Sequence, residues 1–595
     1  MPAFATDLDD LIAPLAAAGG DAQVAGQLIK GQYGKRMLQL RRAVDEPAAS
    51  AGAEEAGRRR AAYALLARVQ REKPEVFRTV LLDPDVGCWL DGRSGRPEAV
   101  ACVAAAAAIR AGQPATIVVP ADDGTIFLPG LGTVGLGGPH GPGHAVVAVA
   151  DRITVTAGDR RVVLPADLAS AAGGWRPVCW ISAGQRERIT VRLATSGPVH
   201  DAFTALYPPT APHPPAPPHP PTAPHPSGPP ASGREQDWQQ ALSEAWQILE
   251  QGYPAHAASI AAGLRAIVPV PPADDGSAVS ATLEPAFGAV ALSLPSRPEL
   301  FAVALVHEFQ HAKLNAALDL IQFYEPDDRA CYYAPWRPDP RPLGALLQGI
   351  YAHLGVAGFW GVRGRLAGDR GRRPAQVEFV RWRDDTWQAA RDLAGAPTLT
   401  EAGREFLDRL LGELERLRGE DVPAEARRMA DLIARDHKVS WRLRNLEVDR
   451  DAARGLARAW LDGGPPPALA SGSVRRRPAP RKVTASRIRL LYRHLDGDLA
   501  DTADTADTAP VADLRYVRGD YQGAFDAYER RVADDPGDLD AWAGLALSAL
   551  AGDGACADVL ADTPEVVAEV FRQAMALNRE LEPPRALARW LSTAA

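Results

Sequence analysis

The run ELFAVALVHEFQHAKLNAALDLIQFY, residues 299–324, constrains this chain most. It reads as one helix of roughly seven turns. It is apolar on nearly every face, so other elements must wrap it. Its centre nevertheless carries His307-Glu308-Phe309-Gln310-His311. The offset of four places both imidazoles on one face, about one turn apart. Burying a His-Glu-His turn is costly without a metal or dense hydrogen bonding. The pattern suits chelation of one divalent ion, with Glu308 on the same side to hold a metal-bound water or a partner group. The plainer alternative is a chance HExxH serving as an ordinary polar turn.

At 595 residues the chain exceeds one ordinary core, and about 150 residues per domain predicts three or four units. Hydrophobic residues at 46% and charged residues at 24% indicate a globular protein. A net charge of -8 argues against a general nucleic-acid coat, while leaving room for a local basic patch. Cys88, Cys102, Cys179, Cys331 and Cys556 are scattered and form no CxxC pair. That pattern fits a reducing cytoplasm better than a disulfide scaffold. The N-terminal run carries acids where a signal peptide carries lysine or arginine. The apolar stretch 99–111 is broken by Arg110 and is too short to span a bilayer. We therefore expect a cytoplasmic protein with no nucleic-acid and no membrane partner.

The pattern along the chain predicts an α+β fold: a mainly helical HExxH metalloenzyme core, a β-rich N-terminal region and a C-terminal tetratricopeptide-like helical region. Residues 1–73 read as helical, with Arg36, Arg41, Arg42 and Arg58–Arg60 on polar faces. Residues 74–206 hold the β-branched runs FRTVLL, ATIVVP, HAVVAVA, RITVTA, RVVLPA and RITVRLA, with a helix expected at 99–111. Residues 207–233 form a proline- and histidine-rich linker or loop suited to polyproline II. There His213, His219 and His225 make a metal-binding tract the lesser alternative to a solvated spacer. The catalytic region is expected at 234–465, opening with helical pattern over 237–268 and a β-like SATLEPAFGAVALSLP at 280–295. Residues 466–510 read as a basic connector followed by the mobile ADTADTADTA. Residues 511–595 begin with a unit resembling a tetratricopeptide repeat, in which Ala524 and Tyr528 line a helix face.

A third metal ligand is harder to read. No histidine lies six residues after His311, where Ala317 stands, so the simplest metzincin pattern is absent. The following helix, LGALLQGIYAHLGVAGFWGVRGRLAG, has no glutamate for a gluzincin arrangement. It has His353, which shares a side with Leu346, Gly349 and Val356, and small Gly349 would let that helix approach closely. Glu325, an acid elsewhere, or His353 as a plain hydrogen-bonded residue are the alternatives. Between the helices, CYYAPWRPDPRPLG carries Arg337, Asp339 and Arg341 on a backbone stiffened by four prolines. An arginine fork there suits a carboxylate-bearing ligand. The alternative is an Arg337–Asp339–Arg341 surface network. Tyr324, Tyr332, Tyr333 and Trp336 are candidates to line a substrate, although such residues more often simply pack.

The combination VHEFQHAKLNAALDLIQFYEP, YYAPWRPDPRP and LGALLQGIYAHLGVAGFW, within 303–360, resembles the HExxH-type proteins of peptide natural-product maturation. Members of that family are 2-oxoglutarate-dependent peptide β-hydroxylases. The resemblance implies Fe(II) rather than zinc, held by His307 and His311, with 2-oxoglutarate as cosubstrate and a ribosomally synthesised precursor peptide as substrate. Spacing nominates His353 for the third position, and Arg337 or Arg341 would anchor the distal carboxylate of 2-oxoglutarate. Glu308 would then orient a ligand or complete the iron site. The competing expectations are a Zn(II) metallopeptidase, with Glu308 activating water, and a non-catalytic peptide carrier that works beside a peptide maturase.

Overall fold

The structure is a computed structural model that describes residues 9–17, 22–45, 53–91, 97–137, 142–206, 234–273, 277–327, 331–468, 472–474, 486–495, 511–552, 554, 556–578 and 581–594. The expectations for 207–233, for ADTADTADTA and for most of the basic connector lie outside these residues. The fold is mixed α+β, with helical N- and C-terminal regions and sheets between them. It divides into two compact units. The first comprises Met1–Ala216, Thr222–Phe323 and Thr400–Phe406, and the second Pro217–Pro221, Tyr324–Leu399 and Leu407–Ala595.

The first unit contains two large sheets. A seven-stranded antiparallel sheet runs in the order Arg160–Val163, Ile153–Ala157, Pro142–Val149, Ala115–Asp122, Thr125–Leu128, Gly132–Gly135, Trp175–Pro177. The alanine-rich helix Val100–Ala111 shares its core and is buried from Val100 through Ile109. ATIVVP, HAVVAVA, RITVTA, RVVLPA and RITVRLA lie on or overlap strands, but FRTVLL does not. That run belongs to the helix Pro74–Leu81. Pro74 opens it, and Phe77, Val80 and Leu81 are buried at helical spacing, so position outweighed β-branching. Asp83 then caps the next helix, Pro84–Leu90, by accepting from Asp85 N.

The second sheet runs Ser280–Ala281, Ala289–Leu292, Ala266–Pro269, Ile189–Leu193, Cys179–Ala183. Its central strands are parallel and buried, as expected of strands covered on both faces. The helical pattern expected over 237–268 is interrupted. Helix Arg234–Gly252 stops before Pro254, helix Pro254–Gly263 follows, and Ala266–Pro269 is a strand. Pro254 cannot donate the next helical hydrogen bond, and β-branched Ile267 and Val268 favour the pleat. Arg36 and Arg59, expected on polar faces, are buried. Arg36 donates to the Pro285 carbonyl at 2.6 Å and Arg59 to the Ala43 carbonyl at 3.2 Å, so each guanidinium satisfies backbone acceptors inside the protein.

The second unit is helical apart from one two-stranded pair, Leu446–Glu447 with Ser473–Val474, among the described residues. Helices Asp369–Ala394 and Ser486–Leu495 carry a buried polar network. Glu378 accepts from Trp382 Nε1 at 2.7 Å and from the Tyr492 hydroxyl at 2.6 Å, while Arg381 donates to Tyr492 at 2.7 Å. Further along, helices Tyr521–Asp534 and Leu539–Ala551 form a pair in which the Tyr528 ring fills the space beside Gly544. Leu343–Leu366 is long and apolar enough to cross a membrane, but 78% of its most apolar window is buried within the protein. That is the burial of a core helix.

Asp385 yields a test of this unit. Burial pushes its carboxyl up to about 7, and the Arg381 charge only partly offsets it. Below about pH 4 the folded and unfolded chains both keep the proton. Between about pH 4 and 7 only the unfolded chain ionises, so stability falls as pH rises, by at most on the order of 4 kcal/mol. Asp385→Asn is expected to flatten this decline and to raise stability at pH 8, read by urea unfolding across pH. An unchanged pH profile would contradict it.

Candidate metal centre

The helix Pro298–Leu318 carries the HExxH turn. It is shorter than the 299–324 expected, because Asp319 closes it. Asp319 is held by Lys35 at 2.7 Å and Gln32 at 2.7 Å, both from helix Ala22–Asp45. Pro298 begins the helix and Glu299 lies in its first turn, where a negative charge favours the helix dipole. Buried residues fall on all its faces, as its composition requires. Trp238 packs edge-on against Phe301 at 5.9 Å. Phe309, inside the motif, covers Gly263 so closely that a side chain there would strike the ring.

Within the turn, the His307 and His311 rings meet edge to face at 4.7 Å and 89°. His307 and Glu308 are buried, and His311 is partly exposed. His307 Nδ1 lies 3.0 Å from Glu308 Oε1. Thr282 donates its hydroxyl to Glu308 Oε2 at 2.6 Å and also lies 3.1 Å from the Glu308 carbonyl. Burial alone would push the Glu308 carboxyl up. The hydrogen bond from His307, the electrostatic influence of the His307 and His311 rings and a hydrogen bond from Ser280 outweigh burial and hold it down at about 2. Glu308 is thus an anion with both oxygens engaged.

This arrangement fits a divalent ion in one respect. A carboxylate on Nδ1 sets the His307 tautomer and leaves Nε2 as the ligating atom, the usual support for a metal-bound imidazole. Two imidazoles from one turn make a partial donor set. Among the described residues, no group of three or more histidine, cysteine, aspartate or glutamate side chains is gathered as a complete metal cage.

The other candidates belong to the second unit. His353 is buried, with its ring stacked on Trp336 at 4.3 Å and 17° and against Trp382 at 4.6 Å. Its Nδ1 lies 2.8 Å from the Gly349 carbonyl. The space beside Gly349 is filled by the Trp336 indole. Arg337 and Arg341 both pair with Asp339, at 3.1 and 3.0 Å, which is the local network anticipated as their alternative role. The proline-stiffened loop is closed by mutual backbone hydrogen bonds between Tyr332 and Arg341 and tied by Asn445 to the Pro338 carbonyl. Tyr333 is hydrogen-bonded to His437 at 2.9 Å, and Tyr324 packs over Gly344. Glu325 is exposed, its backbone N–H donating to the Thr398 carbonyl.

Thr282 and Ser280 were missed in the sequence. Ser280 opens the edge strand and Thr282 directly follows it, but nothing in SATLEPAFGAVALSLP indicates that they meet Glu308. The chain matches no protein-family model, and comparison with curated proteins gives no match.

Thr282→Val keeps the shape and removes one donor from a buried carboxylate. It is expected to cost about 1–3 kcal/mol, measured by chemical unfolding. A change within error would show that Thr282 does not support Glu308.

Proposed function

We propose that the protein is an iron(II)- and 2-oxoglutarate-dependent hydroxylase, acting on a side-chain β carbon of a ribosomally synthesised precursor peptide in the cytoplasm. The observation that carries this reading is the engagement of Glu308. Its two oxygens face His307 and Thr282. A peptidase base must face a metal-bound water, whereas a hydroxylase needs this carboxylate only to position an imidazole. The sequence resemblance over 303–360 supports the same choice. In this reading the first unit supplies a β-rich region and the HExxH core, and the C-terminal helices are a tetratricopeptide-like module for a peptide or a maturase.

His307 and His311 would hold the iron, with His353 proposed as third ligand on the sequence argument. The bound iron and 2-oxoglutarate would supply the oxidising chemistry. The chain's own part is narrower. Glu308 fixes the His307 ring, Thr282 fixes Glu308, and the apolar helix excludes water from His307. Arg341, the more exposed of the two loop arginines at 32% against 16%, is the proposed anchor for the distal carboxylate of 2-oxoglutarate.

His307→Ala and His311→Ala are each expected to abolish iron binding while helicity by circular dichroism persists. His353→Ala is expected to weaken iron binding strongly, and Glu325→Ala to leave it intact. With a cognate peptide, mass spectrometry should show a gain of about 16 Da that requires oxygen and 2-oxoglutarate. Two cleaved fragments formed without oxygen would favour the zinc peptidase. Full metal occupancy in either motif variant would reject the site.

A further inference from the structure

Outside the HExxH turn, the first unit has a groove of about 540 Å³ between helix Ala53–Glu72 and strand Ala115–Asp122. The helix presents Arg58, Ala61, Ala64, Leu65, Arg68 and Arg71 along one side. These positions recur at three- and four-residue spacing, so they form a continuous stripe. Opposite them lie Pro114 through Val118. No acidic residue lines this groove among the described residues.

The three arginines differ in how far they are satisfied. Arg58 bonds Glu54 at 2.6 Å on its own helix. Arg68 donates Nη2 to the Pro114 carbonyl at 2.9 Å, and its Nε is buried with no hydrogen-bond partner. Arg71 is exposed and makes no ion pair among the described residues. Positive charge is therefore available at the Arg68–Arg71 end. Beyond Val118 the lining turns mixed, with Glu55 and Glu98 beside Arg58, Arg59 and His144.

Shape and chemistry select among anions. Arg58 to Arg71 spans roughly 20 Å at 1.5 Å per residue, the length of about six residues of extended peptide. Between the guanidinium groups the wall is alanine and leucine, and the floor includes Ile117 and Val118. A small inorganic anion would leave that apolar surface uncovered. A peptide alternating carboxylates with small apolar side chains would cover both.

We propose that this groove binds an acidic peptide segment in extended conformation, with its carboxylates at Arg68 and Arg71. The site is separate from the metal reading, and its test uses neither metal nor turnover, so either can fail alone.

The test is fluorescence anisotropy of the full chain with labelled octapeptides, alternating Glu-Ala against alternating Gln-Ala. At about 50 mM salt the acidic peptide is expected to bind about tenfold more tightly, and the advantage should disappear near 1 M. Arg71→Gln should weaken it about two- to fivefold and the Arg68→Gln/Arg71→Gln pair about tenfold. Ala64→Trp, which fills the groove, should also weaken it. Arg60→Gln, on the same helix outside the groove, should have no effect. Equal binding of the two peptides, or an unaffected Arg71→Gln protein of native circular dichroism, would overturn the proposal. Equally tight, arginine-dependent binding of a single-stranded DNA octamer would overturn it in favour of a general polyanion surface.

Discussion

A buried carboxylate organises the first unit's candidate site. Glu308 lies in the middle of an apolar helix, where an unpaired charge would be prohibitive. It persists because His307 Nδ1 and the Thr282 hydroxyl each meet one of its oxygens. This requirement reaches outward. Thr282 must follow an edge strand that ends beside the turn. That strand must pair with Ala289–Leu292, which leads through a short connection into the HExxH helix itself. Phe309 against Gly263 fixes the helix on its other flank. The sheet and the neighbouring helices thus hold one polar turn in one orientation.

The second unit solves a similar problem with aromatic groups. His353 lies between the indoles of Trp336 and Trp382, and Trp382 donates to Glu378, which also takes the Tyr492 hydroxyl. Arg381 lies over the Trp382 ring at 4.3 Å and contributes a cation–π contact. Stacking, hydrogen bonding and charge therefore constrain the same few side chains, and substitution of any one of them should disturb the others.

The central helix was legible because its composition permits little else. Apolar groups on every face around one His-Glu-His turn require a buried helix, which runs Pro298–Leu318, while 319–324, expected to continue it, lie beyond its C-terminal end. The strands at ATIVVP and HAVVAVA were legible for the complementary reason, β-branched alternation between turn residues. FRTVLL was misread because a short apolar run fits either period, and only Pro74 and the burial of Phe77, Val80 and Leu81 decide it. Arg36 was misread because its acceptor, the Pro285 carbonyl, lies 249 positions away. Gly349 was expected to let its helix approach the metal, and the space beside it is taken by the Trp336 indole. The Glu308 contacts from Thr282 and Ser280 arise from tertiary packing, which local pattern does not encode.

The proposed function rests on the HExxH turn holding a metal through two imidazoles. X-ray absorption on the iron-loaded wild-type chain, prepared without oxygen, tests it most directly. Nitrogen and oxygen scatterers are expected near 2.1 Å, within the roughly 2.0–2.2 Å range of such ligands, with multiple scattering from at least two histidine rings, lost together in His307→Ala. A shell of water oxygens without imidazole scattering, or one unchanged in His307→Ala, would contradict it.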